Sequence, residues 1–596
     1  MRNKAKDIFT GNEGFKEFIK GNAAYVDKTG LIHDLFSKSS GPFSLSRPRR
    51  FGKTLLLDTI QHIAAGNRDL FAGLEISNRK YDWTPYAVIR LSMSVPDYTP
   101  AKFEEDLLDV IKVRAIRHGL TLDAKSPGTA INELITKVSV KHMEHMASRQ
   151  KNDMGPESDP KNVVLLIDEC DFPLNANIRD PKALASINDT LYKFYSSVKG
   201  GADMLRFTFL AGITEFLFRR MFSGLNDDTE ISLNPAYSTI CGFTVEEIRS
   251  VFKHHMEPTL KILKANTEME PDATEDDLMA KLLFWYDGYS WDGATKVLNP
   301  YSVMSLFKTA TFDDHWYNTG ASRLTSRLEP DDIDYFSLFS ENLSFESRYS
   351  VTDVHTPDTE SLLMQAGYLT ISNITGTGKN RTYHLKIPNN EIFDAARTEL
   401  LARAVAPPNS AKPMKFINGM YIRLLESFAS LDAAESQNLL GSIYSGVPQH
   451  SSKGEDEYFY RGLLQLLLGF GNNQSLPEDP SDIGRADLAV QTPKGDWIVM
   501  EIKHEKAADG GDRKSQQNKA RVLKRLNVNI NAAFSQILAR NYGRKYLGGS
   551  AKVYAAAIAI HGTSDVMVRF ARLSRDPTSL AYSLEDIARD PNTTRL

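Results

Sequence analysis

Apolar positions along the chain fall into stretches of distinct period. Val163-Val164-Leu165-Leu166-Ile167 is an unbroken aliphatic run closed by Asp168-Glu169, the pattern of a strand buried on both faces. Leu205 to Ile213, ending at Thr214, reads as a second buried strand, and Tyr86 to Leu91 as a third. Phe103 to Gly119 has the spacing of an amphipathic helix. Strands and helices alternate in this way from Ser44 to about residue 235, which predicts a mostly parallel sheet with helices on both faces. Residues 149–162, rich in Lys, Asp, Pro and Ser, read as a surface loop leading into the aliphatic run.

The pattern then turns helical, from about 240 to 345. Thr244-Val245-Glu246-Glu247 is a capping-box start, and Asn299-Pro300-Tyr301-Ser302 opens another helix. The aromatic turn Trp285 to Trp291 between them reads as packing between helices in preference to a base-stacking platform. Leu362 to Ile371 runs from helix into strand, Gly376 to Arg381 is a polar hairpin tip, and Thr382 to Ile387 returns. That order predicts a winged-helix-like element. Ala404 to Pro413, with three prolines, reads as a linker. The expected division is 1–240, an α/β domain; 241–345, a helical lid; 346–410, the winged-helix-like connector; and 411–596, a C-terminal α/β domain.

Composition narrows the classes. The 596 residues carry a net charge of −4, so any nucleic-acid surface must be local. Cys170 and Cys241 lack metal-ligand spacing and are too few for a disulfide framework, which fits a reducing, cytoplasmic setting. The charged start Met1 to Asp7 has no apolar core after it, unlike a signal peptide. No apolar run reaches the length of a membrane span.

Two stretches carry candidate chemistry. Ser44-Leu45-Ser46 reads as a strand, Arg47-Pro48-Arg49-Arg50-Phe51-Gly52 as a loop, and Lys53-Thr54-Leu55-Leu56 as a helix start. This is the context of a phosphate loop, where backbone N–H groups and a helix N-terminus cradle an anion. Lys53 would reach the β- and γ-phosphates of ATP and Thr54 would sit on Mg²⁺. Arg47 stands where the usual pattern has its first glycine. Asp168, at the carboxyl end of its strand, would hold Mg²⁺ through water, and Glu169 would polarise the attacking water. Thr214 is placed as a polar sensor of the γ-phosphate. Arg219 and Arg220 read as helix-surface residues in preference to an arginine finger.

The second stretch is C-terminal. Asp487 opens one strand and Trp497-Ile498-Val499-Met500-Glu501-Ile502-Lys503 forms the next. Alternate residues share a face, so Glu501 and Lys503 point the same way. Asp487 and Glu501 on adjacent antiparallel strands can share a divalent ion, Mg²⁺ or Mn²⁺. The ion would activate water against a phosphodiester, with Lys503 orienting that water. Lys514, Lys519, Arg521, Lys524, Arg525, Arg540, Arg544 and Lys545 offer either a local phosphate-binding surface or a solvated helix face. His504 and Glu505 read as surface residues.

Tyr25-Val26-Asp27-Lys28-Thr29, Arg47 to Thr54 and Leu166-Ile167-Asp168-Glu169 resemble the AAA-ATPase-like family, whose members often carry a C-terminal PD-(D/E)XK nuclease-like domain. Phe222 to Asn226, Ile240 to Thr244, Tyr286 to Tyr289 and Leu298 to Ser302 match it too. The resemblance implies a P-loop NTPase sheet followed by a restriction-endonuclease-like domain, and makes arginine at the first loop position normal. It implies that Arg49, Arg50, Phe51, Gly52, Lys53, Thr54, Asp168 and Thr214 bind the nucleotide. The Asp-Glu-x-Lys set resembles the nuclease signature. The likeness adds Glu457 as a first-helix metal ligand, with Glu455 and Asp456 as competitors, and Gln536 on a later helix. It implies ATP-dependent action on nucleic acid, DNA before RNA, with a homo-oligomer and mobile-element or phage-defence biology as further expectations.

Overall fold

A computed structural model describes residues 6–11, 13–38, 41–94, 102–149, 161–177, 180–214, 229–319, 343–346, 359–377, 381–395, 413–446, 457–468, 475–481, 484–492, 494–506, 516–548, 551–562, 564–575 and 582–586. Phe222 to Asn226, Arg219, Arg220, Glu455, Asp456, Lys514 and most of the expected linker lie outside the described residues. Two compact units emerge, one from the described residues of Met1–Leu328 and Asn342–Phe393, the other from those of Asp394–Leu596. The helical and winged-helix-like segments belong to the same unit as the first sheet.

The first sheet contains β1 (Phe43–Ser46), β2 (Ala87–Ser92), β3 (Val163–Asp168), β4 (Leu205–Gly212) and β5 (Thr229–Glu230) in the order β2-β3-β4-β1-β5. All neighbours are parallel. All six residues of β3 are buried, as an aliphatic run covered on both faces requires. Helices α1 (Phe15–Lys20), α2 (Thr29–Lys38) and α3 (Lys53–Ala64) precede β2. Helices α4 (Phe103–Arg117), α5 (Pro127–Arg149), α6 (Phe172–Asn175) and α7 (Pro181–Gly200) follow it. Leu107, Ile111, Leu134, Ile187 and Phe194 from these later helices enclose Ile89, Leu91, Leu165, Ile167 and Leu210 of the sheet. Each such side chain contributes roughly 1.5–3 kcal/mol by leaving water. Strand β4 lies between β1 and β3, so the phosphate loop and the Asp168 end are held at one edge of the sheet.

The same unit contains helices Val245–Val251, Lys253–Ala265, Glu275–Tyr286 and Pro300–Thr309 around a core with Ile248, Phe252, Leu278, Leu282 and Leu306. A small antiparallel sheet of β6 (Leu343–Glu346), β7 (Thr370–Thr375) and β8 (Thr382–Lys386), order β6-β8-β7, completes it with helix Thr359–Ala366.

The second unit has a six-stranded sheet of β9 (Ser475–Ser481), β10 (Gly484–Gln491), β11 (Trp497–Glu505), β12 (Val553–His561), β13 (Asp565–Arg575) and β14 (Tyr582–Asp586). Only β11 and β12 pair in parallel. Leu440 and Leu464, from helices Ala433–Gly446 and Glu457–Leu468, pack with Leu488, Met500 and Ile502. Ile530, Ala533 and Ile537 of helix Gln516–Ala539 pack with Ala489, Val499, Ala557 and Ala559. The alternation along β11 therefore turns Glu501 and Lys503, like Val499, away from the first helical layer.

Candidate functional site

The phosphate loop joins β1 to α3. Gly52 has φ 89° and caps α3, a left-handed conformation that suits glycine. A Cβ there would meet nothing within 4 Å, so the cradle is open on that side. Thr54, Arg49 and Arg50 are exposed, whereas Arg47, Pro48, Phe51 and Lys53 are buried. The Lys53 ammonium donates to the carbonyls of Arg47 and Pro48, each at 2.8 Å. Burial pushes it below its ordinary pKa, with Asp168 the strongest counterweight. Lys53 is thus a desolvated cation held by neutral oxygens, an arrangement that a phosphate would relieve.

Arg47 does a different job. Its guanidinium is 1 % exposed. It donates to the carbonyls of Ser46 at 2.8 Å, Ser232 at 2.9 Å and Tyr237 at 3.3 Å. It also lies 4.1 Å from the ring centre of Trp291. Phe51 packs edge-on against Tyr289 and Trp291 at 4.8 and 5.5 Å. The aromatic turn is therefore the back wall of the loop.

Asp168 is buried at the end of β3. One carboxylate oxygen accepts from the Glu169 N–H at 3.0 Å, while the other lies 3.8 Å from Arg90. Glu169 is exposed with φ 50°. Thr214 is wholly buried, its hydroxyl donating to Asp171 at 2.6 Å. Asp171 also accepts from the Ile213 and Thr214 N–H groups at 3.0 and 2.8 Å. The Thr214 hydroxyl is committed inward, tying the acidic loop to the end of β4. Asp171 and Arg90 escape a sequence reading: one is a third acid in an acidic turn, the other an arginine amid a strand. The Tyr25 to Thr29 motif is architectural. Asp27 accepts from Thr29 N–H at 2.8 Å and Glu75 N–H at 2.6 Å, and Lys28 pairs with Glu247 at 2.6 Å.

In the second unit the β10–β11 ladder runs from Gln491–Trp497 to Leu488–Met500. Asp487 lies one residue beyond the last pair on β10 and Glu501 one residue beyond it on β11. Asp487 accepts from the Ile502 N–H at 2.8 Å and from Arg461 at 3.2 Å. Glu501 is 1 % exposed and takes Lys503 at 2.9 Å. The registered neighbours of Glu501 and Lys503 on β12 are Ala557 and Ala559, small side chains that leave room beside the acids. Gln536 lies 3.5 Å from the Tyr542 hydroxyl. A Cβ on Gly484, at the start of β10, would lie 3.2 Å from that hydroxyl. The side chain of Glu457 lies outside the described residues. Its helix carries Arg461, which reaches Asp487. His504 contacts the Gly562 carbonyl at 3.0 Å and Tyr460 by ring stacking at 4.6 Å, while Glu505 pairs with Arg525. Lys519, Arg521, Lys524, Arg540, Arg544 and Lys545 are exposed.

A parallel sheet with a strand–loop–helix phosphate site and an acid at the neighbouring strand end defines a P-loop-like α/β unit, and the mixed sheet with its Asp-Glu-Lys set a nuclease-like one. Residues 10–222 match the family described as a predicted AAA-ATPase, and residues 455–570 the PD-(D/E)XK nuclease superfamily. The chain carries both domains, the nuclease-superfamily domain lying toward its C-terminus. It is 29% identical over 493 residues to an uncharacterized protein in the vnfD 5′ region of Azotobacter chroococcum mcd 1, spanning 81% of this chain and 87% of that protein. Domains of these two families generally use ATP and Mg²⁺. Among the described residues no helix is long and apolar enough to cross a membrane.

Proposed function

We propose that the chain is an ATPase whose nucleotide state gates a divalent-metal-dependent nuclease acting on DNA. Lys53, the exposed Thr54 and Asp168 would hold MgATP, with Arg49 and Arg50 on its phosphates and Glu169 on the attacking water. Asp487 and Glu501 would hold Mg²⁺ or Mn²⁺ in the second unit, and Lys503 would orient the water. Bound there, the ion would supply an acidified water and neutralise charge on the scissile phosphate. Two buried carboxylates on neighbouring strands, with Lys503 beside Glu501, suit such an ion. A cytoplasmic setting, a homo-oligomer and a role in mobile-element or phage defence belong to the same reading and rest on resemblance alone.

One observation carries the gating. The indole N–H of Trp316 donates to the Arg49 carbonyl at 2.8 Å. The Trp316 backbone N–H donates to Glu391 at 2.6 Å. Glu391 lies on the helical turn that carries Phe393, where the first unit ends. The phosphate loop is thus hydrogen-bonded, through Trp316 and Glu391, to the segment that leads on toward the nuclease-like unit.

The test is cleavage of plasmid, linear and single-stranded DNA, and of RNA, with Mg²⁺ or Mn²⁺, with and without ATP. Cutting should vanish in Lys503→Ala and respond to ATP in the parent but not in Lys53→Ala. Cutting indifferent to ATP and to Lys53→Ala would refute gating. A second reading, an ATPase switch with a non-cleaving nucleic-acid or protein-binding module, is favoured by Arg461 occupying Asp487. ATP hydrolysis without cutting under any condition would select it.

A further inference from the structure

We propose that Arg90 is a positioning residue of the nucleotide site, and that it makes divalent-cation binding there depend on nucleotide. The proposal rests on the ATP-binding reading above and deepens it. Arg90 projects from β2, whose register pairs Ser92 with Asp168. One guanidinium nitrogen donates to Asp58 of α3 at 2.8 Å. The other donates to the Thr54 carbonyl at 3.3 Å and lies 3.8 Å from the Asp168 carboxylate. A single side chain therefore touches both residues that would flank the metal, and a second acid one turn along the same helix. Asp58 is itself fixed: it accepts from the Phe15 N–H at 2.7 Å. The guanidinium cannot drift far without breaking that frame.

The electrostatic consequence follows from sign. Without nucleotide, Asp168 faces the Arg90 guanidinium in addition to the field of Lys53, and Arg90 is the permanent member of the two, since arginine does not deprotonate in proteins. A bare Mg²⁺ or Mn²⁺ approaching Asp168 meets like charge within a few ångströms, where the field is strong and weakly screened. ATP phosphates bring several negative charges to the loop and reverse the balance. Arg90 then keeps Asp168 aimed while the phosphates and Thr54 take the metal. The site admits the cation with its nucleotide and rejects it alone.

The experiment is a Mn²⁺ titration read by electron paramagnetic resonance on the full chain carrying Asp487→Asn, so that the nuclease acids do not hold the ion. That protein should take up Mn²⁺ only when nucleotide is present. Arg90→Gln should bind Mn²⁺ without nucleotide, about tenfold or more tightly than its Arg90 parent, and lose that binding when Asp168→Asn is added. Arg90→Lys, which keeps the charge, should behave as the parent. Nucleotide-free Mn²⁺ uptake by the Arg90 parent, or none by Arg90→Gln while it still binds Mn²⁺ with nucleotide, overturns the proposal. Failure of the Arg90 parent to bind nucleotide at all overturns the ATP-binding reading instead, and the two failures are distinct. A folding loss in Arg90→Gln would show as lost Mn²⁺–nucleotide binding, and Arg90→Met, closer in apolar bulk, then repeats the comparison.

Discussion

Replacing Arg47 by glycine restores the residue that phosphate loops usually carry at that position, yet it should weaken this domain. The side chain donates to three carbonyls, at 2.8, 2.9 and 3.3 Å, and covers Trp291 at 4.1 Å. Hydrogen bonds from a charged donor contribute about 1.5–3 kcal/mol each and a desolvated cation–π contact about 2 kcal/mol. Removing the guanidinium also relieves its own desolvation, several kcal/mol, and lets water into the vacated volume. Setting the lost bonds and ring contact against the relieved desolvation leaves a net cost of about 3–5 kcal/mol, and glycine adds up to about 1 kcal/mol through unfolded-chain entropy. A working value of about 4 kcal/mol lowers the folded-to-unfolded ratio roughly a thousandfold. With a urea dependence of about 3 kcal/mol per molar, the midpoint of the first unit falls by more than about 1 M. The assay is urea unfolding of the full chain by tryptophan fluorescence, with and without MgATP. ATP should stabilise the variant less than the parent, because the loop has lost its anchor. An unchanged midpoint together with equal or tighter ATP binding would refute the assignment of Arg47 as the loop's structural pin.

Glu391 is buried and its carboxyl is pushed up to about 8, burial outweighing the hydrogen bonds from Ser302 and Trp316. The folded state then holds a proton that the unfolded state has lost, so this contribution to stability is complete below the unfolded carboxyl range and disappears as pH rises through about 8. Between pH 5 and 7 the first unit should lose about 3 kcal/mol from this group, and Glu391→Gln should flatten that slope in urea midpoints measured across pH. Lys503→Ala should lower cleavage by about 10²–10⁴-fold while leaving DNA affinity within a few-fold; equal loss of binding would make Lys503 a phosphate contact. Trp316→Phe keeps the ring but removes the donor to Arg49, and should leave ATP affinity nearly unchanged while abolishing the response of cutting to ATP; an intact response would remove Trp316 from the route.

What could be read from the chain depended on how local the cause was. β3 was legible because a strand covered on both faces must be aliphatic throughout, and Val163 to Ile167 are. The antiparallel neighbourhood of the strands that carry Asp487 and Glu501 was legible because two alternating runs are joined by a short turn. Arg47 was not, since Ser232, Tyr237 and Trp291 are distant in sequence and only the fold brings their oxygens and ring to it. Thr214 shows the converse: its place after β4 was readable, but the turn of its hydroxyl toward Asp171 depends on the loop that follows β3, some forty residues earlier in the chain. Glu391 sits in a polar run, Pro388-Asn389-Asn390-Glu391, that reads as a surface turn. In the interior its carboxyl oxygens accept from the Ser302 hydroxyl and the Trp316 N–H, partners distant in sequence.

The phosphate loop has two faces, and each is held by different chemistry. On the inner side of the loop Lys53 donates to the backbone carbonyls of Arg47 and Pro48, contacts with which a phosphate would compete directly. On the far side the same residues are clasped by groups that a ligand never touches. Pro48 lies against Gly367, where a Cβ would come within 2.8 Å of the proline ring. Gly367 in turn accepts from the Tyr289 hydroxyl at 3.1 Å, and Tyr289 packs on Phe51. The carbonyl of Arg49 belongs to Trp316. Because interiors are close-packed, a change of loop conformation on one face cannot be absorbed silently on the other. A loop that exchanged carbonyls for phosphates without strain would need a loose far side. This one is gripped by glycine contact, ring packing and an indole hydrogen bond, which is the physical requirement for turning occupancy of a site into displacement of a neighbouring segment.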